Sequence, residues 1–424
     1  MLHKTKEIHY DLNYPKRRLT IFYTSLDMIY SGYILNSCQV SEAKSMNNRN
    51  LSIPKQNNVE NILYLGWLGN GNVGDDLLFE LFKEMFLSRH QPEQENTVPN
   101  IDTFPPVPGY RADVSRYGLV VLGGGSLIDS SFWLLNVCAE AIEHGIPVVS
   151  WGTGADGIPR DASMDNVRLP AEQANAFKEI YEQLDYLSVR GPYTKNMVLN
   201  TGLVNAIHEI GDPALIYAPE LFGDKLEKKA DRNIILVNWG TSNNNIFGKN
   251  EAAVEAEMVA AIRSLTAKGY DVLCYPIWTE DIKHVKQLAE KIDDPRCHAI
   301  SEVYEPQLLQ KLISEAYLTI NFKLHANIMS ASGDRPFVSL AYRGKCLDFA
   351  ATVDCSEFAL PTDQVTADQI LQAVEDIEHN YDSVVARFQS AKETYYPRVV
   401  ESILQISETL NRHTVKNKTN PQQS

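Results

Sequence analysis

Short apolar runs alternate along most of the chain with longer amphipathic stretches. The first run is Ile62-Leu63-Tyr64-Leu65. Glycine-rich sequence follows it, and then Leu77, Leu78, Leu81, Phe82 and Met85 recur at helical spacing. Further runs lie at 119–122, 147–150 and 186–189, with helical patterns between them over 134–144 and 171–184. Short buried strands alternating with helices predict parallel βαβ units. Residues 219–231 break the pattern with charge, proline and glycine, and it then restarts. Strands are expected at 234–237, 270–275, 318–321 and 336–340, and helices at 251–268 and 281–292.

The expected fold is therefore α/β, with two Rossmann-like doubly wound domains over 59–220 and 231–365. A cleft between them would be lined by the C-terminal ends of the strands. Residues 366–412 read as C-terminal helices that cap the second domain or cross back to the first, and 413–424 as a disordered polar tail. Residues 1–58 form an N-terminal extension and linker. Its apolar part, 21–35, is a hairpin, a surface helix or a membrane-facing patch; a packed accessory element is the preferred reading.

Composition narrows the function. A net charge of −15 on 424 residues argues against nucleic-acid binding, yet a local cationic pocket in an acidic protein can still hold an anion. Six cysteines without a C-x-x-C pair give no zinc-site signature and suit a reduced, cytoplasmic protein. No apolar run reaches the ~18 residues of a membrane span, and residues 1–18 lack the apolar core of a signal peptide.

Three glycine loops each follow an expected strand. Gly69-Asn70-Gly71-Asn72-Val73-Gly74 fits G-x-G-x-x-G. Asp75 and Asp76 come next, placing carboxylates where a pyrophosphate would sit, so a dinucleotide is disfavoured. They can instead cap the helix or contact an acceptor hydroxyl. Gly123-Gly124-Gly125-Ser126 can offer backbone N–H groups to a phosphate or carboxylate. With Gly152-Thr153-Gly154, the loops define one ligand-binding edge. Arg190 ends a strand. Lys323 and His325 stand at a strand-to-helix junction, and Lys345 lies beyond the next strand. This is the pattern of an anion site. Asp75, Asp76 and Asp129 are isolated acids, so no metal is expected.

Several segments together resemble the polysaccharide pyruvyl transferases: Gly71-Asn72-Val73-Gly74-Asp75, the loop at 123–126, Ser188-Val189-Arg190, Gly211-Asp212-Pro213-Ala214, Leu324-His325-Ala326 and the stretch 342–349. The resemblance covers roughly residues 60–350. It implies a GT-B-like arrangement of the two domains. It also implies transfer of the pyruvyl group of phosphoenolpyruvate onto two sugar hydroxyls as a cyclic ketal, in capsule, exopolysaccharide or cell-wall glycan biosynthesis. Phosphoenolpyruvate is the donor substrate, and no cofactor is expected.

By the same resemblance His325 is the essential catalytic residue and Arg190 binds the donor. Lys323, beside Leu324, stands where the family usually has arginine, offering a point charge in place of a planar fork. The expected substrate-binding set is Arg190, Lys323, Leu324, Gly124, Gly125, Ser126, Asp75, Asp76 and Lys345. Arg190 is assigned to the carboxylate and Lys323 to the phosphate, or the reverse. Asp212 orients a partner or simply makes a turn, and the turn is the safer reading. The acceptor is a sugar or a lipid-linked oligosaccharide. A lipid-linked acceptor would set a cytoplasmic enzyme at the inner face of the membrane, with 21–35 as a contact. Trp67, Trp133, Trp151, Trp239 and Trp278 are candidates for stacking on sugar or for the core. Two other readings share the fold: a GT-B glycosyltransferase using a nucleotide sugar, and a non-catalytic glycan-assembly protein.

Overall fold

Strands buried on both faces need helices on both sides, and the apolar runs adopt that arrangement. A computed structural model describes residues 60–90, 98–103, 113–128, 132–217 and 231–419. The extension at 1–58, Asp129, the side chain of Trp133 and most of the expected domain boundary lie outside the described residues.

The first domain comprises β1 (Ile62–Leu65), α1 (Val73–Arg89), β2 (Ile101–Thr103), β3 (Leu119–Leu122), α2 (Phe132–Glu143), β4 (Val148–Ser150), α3 (Ala171–Tyr181), β5 (Ser188–Val189), α4 (Pro192–Leu199) and β6 (His208–Glu209). Its sheet runs β2-β1-β3-β4, and single bridges from Val149 to Tyr186 and from Thr153 to Val189 carry it on to the β5-β6 pair. All these pairings are parallel. The strand order reverses between β1 and β3, which opens a crevice at their C-terminal ends.

The second domain comprises β7 (Asp231–Asn238), α5 (Glu251–Ala267), β8 (Asp271–Tyr275), α6 (Ile282–Ile292), β9 (Cys297–Ala299), α7 (Pro306–Glu315), β10 (Ala316–Asn321), α8 (Leu324–Ser332), β11 (Phe337–Ala341), α9 (Gly344–Thr352) and β12 (Ala359–Pro361). The parallel order β12-β11-β10-β7-β8-β9 is that of a Rossmann fold, with the reversal between β7 and β10. Both domains are doubly wound, but the first follows the flavodoxin-like order.

Two helices finish the chain, α10 (Ala367–His379) and α11 (Tyr381–Thr419). The first carries a capping box, Thr366 with Gln369, and packs on α5. The second crosses back to the first domain. There Trp151 Nε1 donates to Ser402 Oγ at 3.0 Å, and Tyr395 Oη donates to Glu209 Oε1 at 2.7 Å. Contrary to expectation, the helix does not stop at 412. It runs to Thr419, and Leu410 and Thr414 are still buried. Among the described residues no helix is long and apolar enough to cross a membrane.

The domains meet through their strand ends. The loop after β1 pairs with the loop after β8: Val73 N donates to Ile277 O (3.0 Å), Thr279 N to Gly71 O (3.2 Å) and Trp278 Nε1 to Asn70 O (2.9 Å). Asp348 on α9 caps α4 of the first domain, accepting from Tyr193 N (2.8 Å) and Thr194 Oγ1 (2.5 Å). One apolar core runs from α1 through the second domain to α11. At the tightest backbone contact, a Cβ on Gly344 would lie 2.1 Å from the Ile158 carbonyl oxygen. Neither backbone can yield cheaply, so Gly344→Ala is expected to destabilise the protein by about 1–3 kcal/mol, read as a lowered thermal midpoint. An unchanged midpoint would show that the domains are free to shift apart.

Candidate active site

The two crevices face each other. In the first domain Asn72 caps α1, its side chain accepting from Gly74 N at 3.1 Å. The capping role considered for Asp75 and Asp76 thus belongs to Asn72, and those acids occupy the first turn, where they favour the helix dipole. Opposite, α8 opens after Lys323, with His325 in its first turn. The His325 ring fills the space of the missing Gly74 side chain: a Cβ there would lie 2.0 Å from His325 Cγ. His325 is buried, and no hydrogen bond satisfies its Nε2. Burial, with the charges of Arg190 and Lys345, lowers its pKa to about 3, so the imidazole is neutral.

Arg190 follows β5 and is 2% exposed. Its guanidinium lies flat on Gly154, where a Cβ would come within 2.1 Å of Nε. Nη2 donates to Ser126 Oγ (3.1 Å) and Ala155 O (3.0 Å), while Nε and Nη1 are buried without acceptors. Unused donors on a buried charge are costly. Each can donate to an oxygen of a carboxylate or phosphate.

Asp75 completes this edge. A Cβ on Gly125 would lie 3.2 Å from Asp75 Oδ1. Burial pushes its pKa up to about 7; Lys345 and Arg190 oppose the shift, and Asp76 and Asp212 add to it. Lys345, in the first turn of α9, stands 3.8 Å from Asp156 of the first domain, and Arg343 pairs with the same carboxylate. Burial raises the pKa of Asp156, but Arg343, Lys345 and Arg190 outweigh it and hold the group below the usual carboxylate range.

The structure thus brings together His325, Arg190, Ser126, Gly125, Asp75 and Lys345. It does not bring Lys323 to them. The Lys323 ammonium turns back into its own domain, donating to Thr241 O, 3.4 Å from Asp281 Oδ1 and 5.0 Å from the Trp278 ring centre. Asp281 is fully buried, with a pKa of about 6 set first by desolvation and lowered by Lys323. That buried acid needs a counter-charge, which explains the turn. The cation that joins Arg190 at His325 is Lys345.

Three other expected residues are engaged otherwise. Leu324 is core, so its side chain offers nothing to the cleft. Gly124 N donates to Tyr64 Oη at 3.2 Å, and a Cβ there would strike Leu78 at 2.7 Å; the glycine permits packing and does not cradle an anion. Asp76 accepts from Gly69 N at 3.4 Å and faces the charges of Glu305 and Glu80. Asp212 caps the turn Pro213–Ile216, accepting from Ala214 N at 3.0 Å, and it lies within the field of Arg190. Sequence reasoning missed Asp156, although it follows the 152–154 loop much as Asp75 follows its own. Of the tryptophans, Trp151 and Trp239 are core, and Trp278 is partly exposed at the domain junction. Among the described residues no group of His, Cys, Asp and Glu is set to hold a metal ion.

No curated protein matches the chain. Among solved structures, one described as a UDP-N-acetylglucosamine 2-epimerase from Listeria monocytogenes is similar with a TM-score of 0.52 at 12% identity, over 81% of this chain and 95% of that one. MnaA of S. aureus, solved with UDP, gives a TM-score of 0.51 at 12% identity, over 78% and 91% of the two chains. At such identity the likeness is one of fold, and it places the two Rossmann-like domains in a GT-B-like arrangement around a cleft. The polysaccharide pyruvyl transferase model matches residues 72–344, from the cap of α1 to the loop carrying Arg343. Asp75, Ser126, Arg190 and His325 all fall within that span, which is well over half of the sequence, and the chain belongs to the polysaccharide pyruvyl transferase family.

Proposed function

We propose that this protein transfers the pyruvyl group of phosphoenolpyruvate onto two hydroxyls of a sugar as a cyclic ketal, in the biosynthesis of a capsule, exopolysaccharide or cell-wall glycan. The observation that carries the reading is the buried Arg190 guanidinium, whose Nε and Nη1 lack acceptors in a cleft that also holds Lys345 and the unsatisfied Nε2 of His325. A small dianion with a carboxylate and a phosphate supplies the missing acceptors. Arg190 takes one anionic group and Lys345 the other, assisted by Ser126 and the opposed N-termini of α1 and α8. Lys323 braces the strand-to-helix junction from behind and does not touch the donor.

The reaction balances without a cofactor. One proton adds to the donor methylene, two sugar oxygens bond to C2, and phosphate leaves. The hydroxyls release two protons, one matching the methyl group formed and the other leaving with phosphate. His325 is the group that moves a proton. The bound dianion offsets Arg190 and Lys345 and raises the low pKa of the imidazole, so proton transfer becomes feasible once donor is present. The acceptor is a sugar or lipid-linked oligosaccharide, the latter placing the protein in the cytoplasm at the inner face of the membrane.

Incubation with phosphoenolpyruvate and a panel of galactosides, mannosides and lipid-linked oligosaccharides is expected to release phosphate and yield a pyruvate ketal. His325→Ala should lose activity by about 100-fold or more. Stabilisation of the protein by UDP-sugars and not by phosphoenolpyruvate would instead favour a glycosyltransferase.

Lysine substitutions separate the two cations. Lys345→Met should abolish the thermal shift given by phosphoenolpyruvate while the protein remains folded. Lys323→Met should retain that shift but lower stability by about 3–5 kcal/mol, because it strands the buried Asp281. The reverse pattern would return the phosphate to Lys323.

A further inference from the structure

Donor chemistry of this kind needs a proton source for the methylene carbon as well as a group to receive a hydroxyl proton. Few side chains at the cleft can serve. Arg190 and Lys345 are required as cations. Asp156 is ionised and tied to Arg343 and Lys345. Asp212 has one oxygen fixed on Ala214 N, and its unpartnered second oxygen lies in the field of Arg190, on neither of the two opposed helix N-termini. Tyr64 Oη is buried against Gly124 N, and burial pushes its pKa upward. His325 and Asp75 remain. They stand on opposed helix N-termini, with the His325 ring seated against Gly74, the residue before Asp75.

Asp75 differs from the other buried acids. No described residue hydrogen-bonds its carboxyl, and it stands at Gly125, a glycine with φ +101° in the loop that leads to Ser126 and so to Arg190. The charges facing it are Lys345 and Arg190 on one side of the balance and Asp76 and Asp212 on the other.

We infer that Asp75 is a second catalytic residue, the general acid that protonates the methylene carbon of the donor, and that His325 is the base that receives the proton of the first acceptor hydroxyl. This rests on the proposed pyruvyl transfer. In the step, the Asp75 O–H bond breaks, its proton bonds to C3, and the C2–C3 double bond becomes single. The acceptor oxygen bonds to C2 as its proton passes to His325 Nε2. The C2–O bond to phosphate then breaks, and the leaving phosphate takes the proton from His325. The second hydroxyl oxygen bonds to C2 and returns a proton to Asp75. The methyl group gains one proton and phosphate one, and both residues end as they began.

Electrostatics favours this division. A carboxylate beside an incoming anion would repel it, so donor binding selects the protonated form of Asp75. The environments already push the two groups in opposite directions: Asp75 rises to about 7, mainly by burial, and His325 falls to about 3. At neutral pH the site thus holds a carboxylic acid opposite a neutral imidazole, a pairing suited to acid and base roles.

The test compares the intact protein with its Asp75→Asn and Asp75→Glu variants, using phosphoenolpyruvate and an accepted sugar. For the unaltered protein, kcat/KM should fall above about pH 7, because the acid is lost as it ionises. Asp75→Asn should lower kcat by about 100-fold or more, with little change in the KM for phosphoenolpyruvate. Asp75→Glu should restore part of the rate and shift the falling limb. Folding is checked separately. A buried acid with a raised pKa weakens the fold as pH climbs from its unfolded value to its folded one. Asp75→Asn should therefore match or exceed the unaltered protein's thermal midpoint at pH 8. A near-normal kcat in Asp75→Asn, or a limb that Asp75→Glu leaves in place, overturns the assignment while pyruvyl transfer stands. An unaltered protein that never consumes phosphoenolpyruvate overturns both.

Discussion

The contact on which the site depends is the His325 ring occupying the volume of a side chain that Gly74 does not have. It fixes two helix N-termini, one from each domain, almost in van der Waals contact. Everything near it serves to hold that approach. Asn72 caps α1 so that its first turn can come forward, the loops after β1 and β8 exchange backbone hydrogen bonds, and Asp348 caps α4 from across the interface. Because α11 also returns to the first domain, the cleft is closed at the back by packing, and the apolar core is continuous from one domain to the other.

An acidic protein with a net charge of −15 builds a cationic cleft by local pairing. Asp156 holds Arg343 and Lys345 in place, and its own charge is sustained by them and by Arg190 against a burial cost. Arg190 is left with unsatisfied donors in the same space. These cations are already fixed in position, so binding an anion there would need little further ordering. The same burial that leaves these charges poorly screened also shifts Asp75 and His325 in opposite directions.

Much of this was legible in the sequence, for identifiable reasons. Strands buried on both faces leave continuous apolar runs, so Ile62–Leu65 and Phe337–Ala341 stand out without any partner being known. Arg190 was visible because it directly follows such a run, and His325 because it stands where the helix after one begins. Lys323 looked equivalent, being two residues from His325. What separates them is Asp281, distant in sequence, whose buried charge draws the lysine away. Gly124 failed for a related reason. Its loop position suggested an anion cradle, whereas Tyr64 Oη, from the neighbouring strand, takes its N–H. Local position is readable from one segment. The direction in which a side chain turns depends on partners that pattern alone does not supply, and the buried Thr414 that extends the last helix is another such case.

The lysine at 323 then takes on a definite sense. An arginine there would present a planar fork in place of a compact charge. A lysine ammonium on a flexible stem reaches both Thr241 O and Asp281 and lies over the Trp278 ring, while Trp278 in turn binds Asn70 of the first domain. Lys323 thus braces the strand-to-helix junction of one domain through Trp278, which bonds to the glycine loop of the other. In the cleft the second cation is Lys345, which starts the next helix and faces Arg190 and His325.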